Sequence, residues 1–180
     1  MNLNDPIEKV LIDADKIQER VKELAKEIDK DYEGKEPHIV SVLSGSFMFT
    51  ADLMREISLP LSVNFIYASS YGQGTVSSGN VEIHGVKGFN PTGKDIIIVE
   101  DIIDSGRTIS EIKKYLLFHG AKSVEICTFL DKPSRRVVDI KGKYTGFEIP
   151  DEFVVGYGLD YAYKYRQYPF VGVLKKEYCE

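Results

Sequence analysis

Apolar runs alternate with amphipathic segments along most of this chain. Four stretches are apolar with few interruptions, which is typical of strands buried on both faces of a sheet: 38–43, 61–68, 96–99 and 124–130. Apolar residues at helical spacing predict helices over three further segments: 14–31, 47–56 and 108–119. Because parallel strands need crossover connections, this alternation predicts an α/β fold with a mostly parallel, twisted sheet flanked by helices.

Two stretches depart from this alternation. Residues 69–80 are rich in Gly and Ser, and a long loop of that kind inside a compact domain is often a lid or a binding loop, so we predict a mobile loop at about 69–80. After residue 133 the chain is rich in Tyr, Gly and Lys and predicts no helix of normal length, so we expect about 134–180 to contribute a small hood that completes a pocket. Shorter strands are expected at 81–86, 152–157 and 170–174. No repeat or linker divides the chain, so 1–180 is expected to be one domain.

The strongest chemical signal follows the strand at 96–99. Glu100, Asp101 and Asp104 supply three carboxylates within five residues, and 105–108 lead through small and basic residues into a helix. Backbone N–H groups at a helix N-terminus favour an anion, and carboxylate oxygens are the ligands that hard divalent cations prefer. Ligands of open parallel sheets bind beyond the carboxyl ends of the strands. The segment therefore indicates a site for a phosphorylated sugar that carries a hard cation.

The geometry of a strand limits what these acids can do together. If the strand continues to Asp101, then Glu100 and Asp101 point to opposite faces and are not expected to hold one ion as a pair. Asp104 lies in the turn and is free to face a reacting atom. The alternative is an acidic loop facing water, in which Asp104 is only a turn or cap residue.

Composition excludes some classes of partner. The chain has 23 basic and 28 acidic residues, a net charge of −5, which argues against non-specific binding to nucleic acid or to an anionic membrane. No apolar run approaches the roughly 20 residues that span a bilayer, and the N-terminus has no signal-peptide pattern. Cys127 and Cys179 are far apart and are expected to be free thiols. We therefore expect a cytoplasmic protein.

The acidic segment also resembles a known motif. Val99–Thr108 is similar to the phosphoribosyl-pyrophosphate motif of type I phosphoribosyltransferases, and nearly the whole chain resembles the hypoxanthine-guanine branch of that family. The residues that carry this closer resemblance lie in four further segments: Leu43–Phe49, Ser69–Gly72, Leu130–Pro133, and Phe153–Tyr161 with Arg166. The resemblance implies the type I phosphoribosyltransferase fold and a homodimer or homotetramer.

The resemblance implies a reaction and a place for each part of the sugar. The enzyme would transfer the 5-phosphoribosyl group from phosphoribosyl pyrophosphate to hypoxanthine or guanine, which gives IMP or GMP and pyrophosphate. Glu100 and Asp101 would face the ribose hydroxyls and their Mg²⁺. Asp104 would be the general base near the imidazole-ring nitrogens of the purine. The 5′-phosphate would be wrapped by five consecutive residues: Asp104, Ser105, Gly106, Arg107 and Thr108.

The purine side is implied by residues further along the chain. Lys132 would donate to the 6-oxo group, Phe153 would stack on the base, and Val154 would offer backbone groups to its edge. Asp160 is grouped with these purine residues, and the resemblance also implies that it binds a second Mg²⁺ on the pyrophosphate side. From the residues alone, Lys132 could instead be a surface lysine that extends its ammonium into water, and Phe153 would by default be a core aromatic.

The pyrophosphate side differs from the family in one residue. Arg166 and the backbone of Ser44 and Gly45 would hold pyrophosphate, while Ser70 and Tyr71 would lie on the mobile loop. Many relatives carry Lys where this chain has Ser44, so a side-chain contact to pyrophosphate or to a neighbouring subunit is in question here. The backbone N–H contribution is unaffected.

Two rival functions remain open at this point. A regulatory protein could keep the fold, bind phosphoribosyl pyrophosphate or nucleotides as a signal and act on RNA or DNA, but the net charge of −5 argues against it. A transferase could act on another base, such as xanthine or adenine. The presence of Asp104, Lys132 and Asp160 favours a purine-salvage enzyme.

Overall fold

The computed structural model describes residues 6–70, 81–84 and 88–178. Its strands are β1 Ile7–Ile12, β2 His38–Leu43, β3 Ser62–Ser70, β4 Val81–His84, β5 Asp95–Ile103, β6 Ser123–Asp131, β7 Tyr144–Glu148, β8 Val154–Val155 and β9 Val171–Leu174. Its α-helices are α1 Ala14–Asp31, α2 Phe47–Glu56 and α3 Arg107–Phe118, with short 3₁₀ turns at Pro133–Arg135 and Lys176–Tyr178.

A six-stranded sheet forms the centre of the molecule, in the order β4-β3-β2-β5-β6-β7. All neighbouring strands are parallel except β4, which pairs antiparallel with β3. Helices α1 and α2 pack their apolar residues on one face of this sheet and α3 packs on the other. The predicted α/β class, with a mostly parallel sheet flanked by helices, is confirmed.

Local sequence explains where the helices begin and end. The Asp13 side chain caps α1 by accepting from the Lys16 N–H at 2.9 Å, and the helix covers the predicted range 14–31. Helix α3 ends at Phe118 and is followed by Gly120, where φ is +88° and the N–H donates to the Leu117 carbonyl. The Ala121 N–H donates to the Leu116 carbonyl, which completes a Schellman motif.

A second, smaller sheet forms the hood. Its three strands are antiparallel in the order β1-β9-β8, so the N-terminal β1 contributes to it as well as the C-terminal region. Part of the predicted range 134–180 lies in the main sheet, because β7 pairs parallel with β6. The strand predicted at 152–157 is only Val154–Val155, since Gly156, Tyr157 and Gly158 all have positive φ and end the extended backbone.

The sheet topology gathers the predicted loops at one edge. Strands β2, β5 and β6 are parallel neighbours, so the turns at 44–46, 104–108 and 132–133 all follow their carboxyl ends. In the loop predicted at 69–80, Ser69 and Ser70 end β3, and 71–80 lie outside the described residues. Among the helices of the described ranges, none is both long and apolar enough to cross a membrane.

Candidate active site

The turn after β5 encloses a small pocket at the N-terminus of α3. The pocket has a volume of about 90 Å³ and is lined by Glu100, Ile102, Ile103, Asp104, Ser105, Gly106, Thr108 and Ile109. Arg107 begins α3 and its side chain is exposed. The positive end of the helix dipole therefore faces a concave polar surface, which suits an anion.

Glycine is required in this turn. Gly106 has a φ of +82°, and a Cβ there would lie 2.7 Å from Ile140 Cγ2 and 3.2 Å from Arg136 Cδ. The segment 136–140 also stabilises the turn, because the N–H groups of Val137 and Val138 both donate to the Ser105 carbonyl. The turn at 104–108 thus depends on residues about thirty positions further along the chain, a contact that the sequence did not indicate.

Asp104 is poorly satisfied within the described part of the chain. Its Oδ1 is buried and accepts no hydrogen bond, and its Oδ2 lies 3.4 Å from Arg135 Nη1. Arg135 is more closely engaged with Asp151, with 2.7 Å between Nε and Oδ1. A buried acceptor without a donor is costly and uncommon. The Asp104 side chain as a whole is 44% exposed and lines the pocket, so it is within reach of a bound molecule.

Glu100 and Asp101 are adjacent in β5, and the Glu100 carboxyl group contacts the backbone of Asp101. Glu100 Oε1 accepts from the Asp101 N–H at 3.3 Å, and the Asp101 carboxylate is close enough to affect the pKa of Glu100. Strand alternation fixes only the direction of Cβ, and the longer Glu100 side chain folds back to its neighbour. Burial and the negative charge of Asp101 raise the pKa of Glu100 well above its usual value. Burial also raises the pKa of Asp101, against the opposing effects of its hydrogen bonds and the positive charge of Arg166.

The turn after β2 packs closely against these acids and against the hood. A Cβ on Gly45 would lie 1.5 Å from Asp101 Oδ2, and a Cβ on Gly158 would lie 2.1 Å from the Gly45 carbonyl oxygen. Arg166 Nη1 donates to the Gly158 carbonyl at 2.5 Å, and its Nη2 lies 2.9 Å from Asp160 Oδ1. The structure therefore brings together Gly45, Asp101, Asp160 and Arg166, which the resemblance assigned to the ribose, the metals and pyrophosphate.

Ser44 and Gly45 differ in exposure. Ser44 is exposed at the tip of the turn, Gly45 beside it is buried, and the peptide bond between Leu43 and Ser44 is cis. Gly158 packs against the Gly45 carbonyl and accepts a hydrogen bond from Arg166. It was not identified from the sequence as a site residue. The signal available for it is the Gly-Tyr-Gly spacing at 156–158, because closely spaced glycines often mark a close backbone approach.

Lys132 is held inside the protein and does not extend into water. Only 7% of the residue is exposed, and its Nζ donates to the Glu152 carbonyl at 2.7 Å. The Lys132 N–H donates to the Ile103 carbonyl, which joins this residue to the β5 end. Burial lowers the pKa of Lys132, partly opposed by the negative charge of Asp104. Lys132 is thus held between the Glu152 carbonyl and the end of β5.

Phe153 is exposed, so it is not the core aromatic that residue type alone suggests. The residue is 48% exposed, and its ring meets the Tyr161 ring edge-on with 5.5 Å between centroids. Its neighbour Val154 is buried in β8, paired with Val173 of β9. Of the two residues predicted for the mobile loop, Ser70 ends β3 and Tyr71 lies outside the described residues.

The carboxylates of the site could bind a metal ion, but only one or two of them lie together. In the described ranges no three His, Cys, Asp or Glu side chains are grouped as a metal site. The Glu100–Asp101 pair nevertheless fits Mg²⁺, which is usually shared between one or two carboxylates and substrate oxygens. Asp160 is engaged by Arg166 and by the Tyr163 N–H, 2.8 Å from its Oδ2, so it would have to exchange a partner to reach a metal.

Comparison with known proteins identifies relatives along the whole chain. Residues 11–162 match the phosphoribosyl transferase domain family. The hypoxanthine-guanine phosphoribosyltransferase of Bacillus subtilis is 50% identical over 169 residues, 94% of each chain. A hypoxanthine phosphoribosyltransferase structure from Staphylococcus aureus superposes with a TM-score of 0.95 at 44% identity, covering 100% of this chain and 99% of that one.

One group of relatives is much longer. The bifunctional protein TilS/HprT of Listeria monocytogenes is 47% identical over 178 residues, which is 98% of this chain but 27% of the relative. The chain thus spans about a quarter of the length of that curated relative. The family match, the identities and the superposition together confirm the predicted family and fold. The chain belongs to the phosphoribosyltransferase family, in the branch of the hypoxanthine-guanine phosphoribosyltransferases.

Proposed function

We propose that this protein transfers the 5-phosphoribosyl group from phosphoribosyl pyrophosphate to hypoxanthine or guanine, as a purine-salvage enzyme. The observation that carries the proposal is the pocket formed by Glu100 and Asp104–Thr108 at the N-terminus of α3, at the sheet edge where Lys132 also lies. That pocket combines an anion site with acids for a sugar, and the named relatives support the choice of reaction.

In the proposed mechanism, groups of opposite charge stabilise the leaving group and the ribose ring. As the bond to pyrophosphate breaks, negative charge grows on the leaving group and positive charge grows on the ribose ring. Arg166 and the backbone of the Ser44–Gly45 turn stabilise the leaving group, and the Glu100–Asp101 pair stabilises the ring. Asp104 Oδ1, buried and without a donor, accepts the proton that the incoming purine loses.

Mg²⁺ is part of this proposal. Glu100 and Asp101 would hold one ion at the ribose hydroxyls, and Asp160 would hold a second on the pyrophosphate side. When bound, Mg²⁺ would neutralise charge on the pyrophosphate oxygens. Arg166, next to Asp160, keeps a positive charge beside the same oxygens whether or not the second ion is present.

The activity itself is tested by one assay. Purified protein is mixed with Mg²⁺, phosphoribosyl pyrophosphate and, in turn, hypoxanthine, guanine, xanthine or adenine, and product formation is followed by ultraviolet absorbance. We expect turnover of hypoxanthine or guanine and none of adenine. Absence of turnover with all four bases would contradict the proposed function.

Lys132 is proposed to make the enzyme specific for purines with a 6-oxo group. Its ammonium can donate to a 6-oxo group but would face the 6-amino group of adenine, which is also a donor. Because Nζ is buried, donating to the Glu152 carbonyl at 2.7 Å, its direction is fixed before the base arrives. Phe153, beside Glu152 in the chain, has an exposed ring that can stack on the same base.

Replacing Lys132 with alanine is expected to lower kcat/KM for hypoxanthine and guanine by about 1–3 kcal/mol of transition-state binding, the scale for an unpaired hydrogen-bonding group. Steady-state kinetics with each base measures the loss. Lys141→Ala is the matched control, because Lys141 is an exposed lysine nearby in the chain. If both variants retain the wild-type kcat/KM, Lys132 does not contact the base.

Self-association is proposed through the outer face of α2 and β3. A groove of about 390 Å³ there is lined by Phe47, Thr50, Ala51, Met54, Arg55, Val63 and Phe65. Phe65 is 46% exposed and Tyr67, on the same strand, is 52% exposed. Large exposed aromatics mark interaction surfaces, and a second copy of the chain would cover them in a two-fold dimer. Light scattering should give the mass of a dimer or tetramer, whereas a monomer at micromolar concentration would contradict this.

A cytoplasmic location is proposed because Cys127 is a free thiol. Cys127 is buried in β6 and free, as expected for a protein that folds in a reducing compartment. Cys179 lies outside the described residues. Burial also raises the pKa of the Cys127 thiol, so it is not a reactive thiolate.

A further inference from the structure

Three hydroxyl groups are buried at the junction of β2 and α2, where an apolar core would be expected. Ser41 and Ser46 have no exposed surface, and Thr50 is 1% exposed. A buried hydroxyl is costly unless it is hydrogen-bonded, so three such groups together are retained only when they are mutually satisfied. None of the three was identified as a site residue, and none has a role in the mechanism proposed above.

The distances and the number of available protons fix the direction of this network. Ser46 Oγ donates to the Val42 carbonyl at 2.6 Å, which uses its one proton. Ser41 Oγ, 2.9 Å from Ser46 Oγ, must therefore donate to Ser46. Thr50 Oγ1, 2.8 Å from Ser41 Oγ, must then donate to Ser41. The result is a one-way chain of hydrogen bonds from Thr50 to Ser41, to Ser46 and to the Val42 carbonyl.

The chain ends across the base of the Ser44–Gly45 turn. Ser46 lies at the N-cap position of α2, but its side chain makes no capping hydrogen bond and turns back to β2 instead. The bond from Ser46 Oγ to the Val42 carbonyl therefore joins the two ends of the turn. The turn has little freedom in its other contacts, because Gly45 packs against Asp101 and its carbonyl packs against Gly158.

We propose that the hydroxyl chain of Thr50, Ser41 and Ser46 is a positioning device that sets the Ser44–Gly45 turn for pyrophosphate. The three residues do not contact the substrate; they act through the backbone of the turn. This inference rests on the proposed function, in which that backbone binds the pyrophosphate group. It adds three residues that act behind the Ser44–Gly45 turn.

The test separates positioning from stability. In Ser46→Ala the Ser41 hydroxyl loses its acceptor, which lowers the unfolding temperature. In Ser41→Ala/Ser46→Ala the Thr50 hydroxyl is the group left without its acceptor, as it also is in Ser41→Ala, which keeps the bond from Ser46 to the Val42 carbonyl. Ser41→Ala is therefore the stability-matched comparison for the double variant. We nevertheless expect the double variant to raise the KM for phosphoribosyl pyrophosphate roughly 10- to 100-fold, since small displacements of binding groups have effects of that size.

Further measurements make the outcome specific. The KM for hypoxanthine should stay near wild type, because Lys132 and Phe153 lie on other elements. Thr50→Ser, which keeps the hydroxyl, should retain the wild-type KM for phosphoribosyl pyrophosphate, and Thr50→Val, which removes it, should raise that KM. A double variant with a wild-type KM for phosphoribosyl pyrophosphate, whatever its unfolding temperature, would overturn the proposal.

Calorimetry with pyrophosphate and Mg²⁺ distinguishes failure of this inference from failure of the proposed function. If the wild-type protein binds pyrophosphate but turns over no purine, the proposed function fails, and weaker binding by the double variant still supports positioning. Equal binding by the two proteins contradicts positioning whatever the activity. Absence of pyrophosphate binding by the wild-type protein would overturn both.

Discussion

Replacing Asp104 with asparagine is expected to lower kcat by roughly 10²- to 10⁴-fold, the usual contribution of a general base. The KM for phosphoribosyl pyrophosphate should change little, because asparagine keeps the shape of the side chain and the backbone of the phosphate turn. Steady-state kinetics with hypoxanthine, varying each substrate in turn, separates the two effects.

The expectation rests on the surroundings of the Asp104 carboxylate. Oδ1 is buried without a donor, and the Arg135 guanidinium that approaches Oδ2 to 3.4 Å is bound more closely to Asp151. A carboxylate that a structure leaves unsatisfied can bind a proton from a ligand without breaking an existing hydrogen bond. Asparagine has no comparable basicity, so the proton would have no acceptor.

A matched control is available on the neighbouring segment. Asp139 is an exposed carboxylate next to Val138, whose N–H supports the same turn, so Asp139→Asn makes the same chemical change nearby. We expect it to retain wild-type kcat. An Asp104→Asn variant with unchanged kcat would remove Asp104 from the role of base.

Replacing Gly45 with alanine is expected to raise the KM for phosphoribosyl pyrophosphate by roughly 10²-fold, the effect of displacing a binding group by about 1 Å. The added Cβ would lie 1.5 Å from Asp101 Oδ2 and 2.4 Å from Asp101 Cγ, so the turn and the carboxylate cannot both keep their positions. Asp101 Oδ1 accepts from the Ile102 N–H at 2.8 Å, so displacing Asp101 would also disturb the residues proposed to face the ribose.

Gly34→Ala is the control for the general cost of replacing a glycine. Gly34 has a φ of +74° and no atom within 4 Å of a Cβ built there. We expect this variant to lose about 1–2 kcal/mol of stability, because alanine is strained at positive φ, and to keep its KM. If Gly45→Ala also kept the wild-type KM, the Ser44–Gly45 turn would not bind the pyrophosphate group.

Much of the main sheet could be predicted because its strands are buried on both faces. The ranges 38–43 and 124–130 are mostly apolar, and they differ from the observed β2 and β6 by at most one residue at each end. Once neighbouring strands are parallel, their carboxyl ends must share one edge. The acidic turn, the Ser44–Gly45 turn and Lys132 could therefore be expected near one another from the order of the elements alone.

The edge strands could not be predicted in the same way. β1 carries Glu8 and Lys9 in its centre, and β7 is half polar, because each lies at the edge of its sheet with one side facing water. Neither has the apolar run that identified the inner strands. Strand pairing between β1 and β9 joins residues more than 150 positions apart, which a local pattern does not indicate.

Side-chain arrangement within the site was the least predictable part. The contact between Glu100 and Asp101 depends on side-chain torsions, and the burial of Lys132 depends on the Glu152 carbonyl twenty residues away. Gly158 matters through the Gly45 carbonyl, more than a hundred residues from it. These are tertiary contacts, and a sequence pattern supplies only the residue types that make them.

A crystal structure of the protein with bound IMP is the most direct test of the central assignment, that the turn at 104–108 holds the 5′-phosphate of the nucleotide. We expect the phosphate in that turn, within hydrogen-bond distance of backbone N–H groups at the start of α3, with the 6-oxo group at Lys132 Nζ and the purine ring against Phe153. A nucleotide bound elsewhere, with no phosphate in the 104–108 turn, would contradict the assignment.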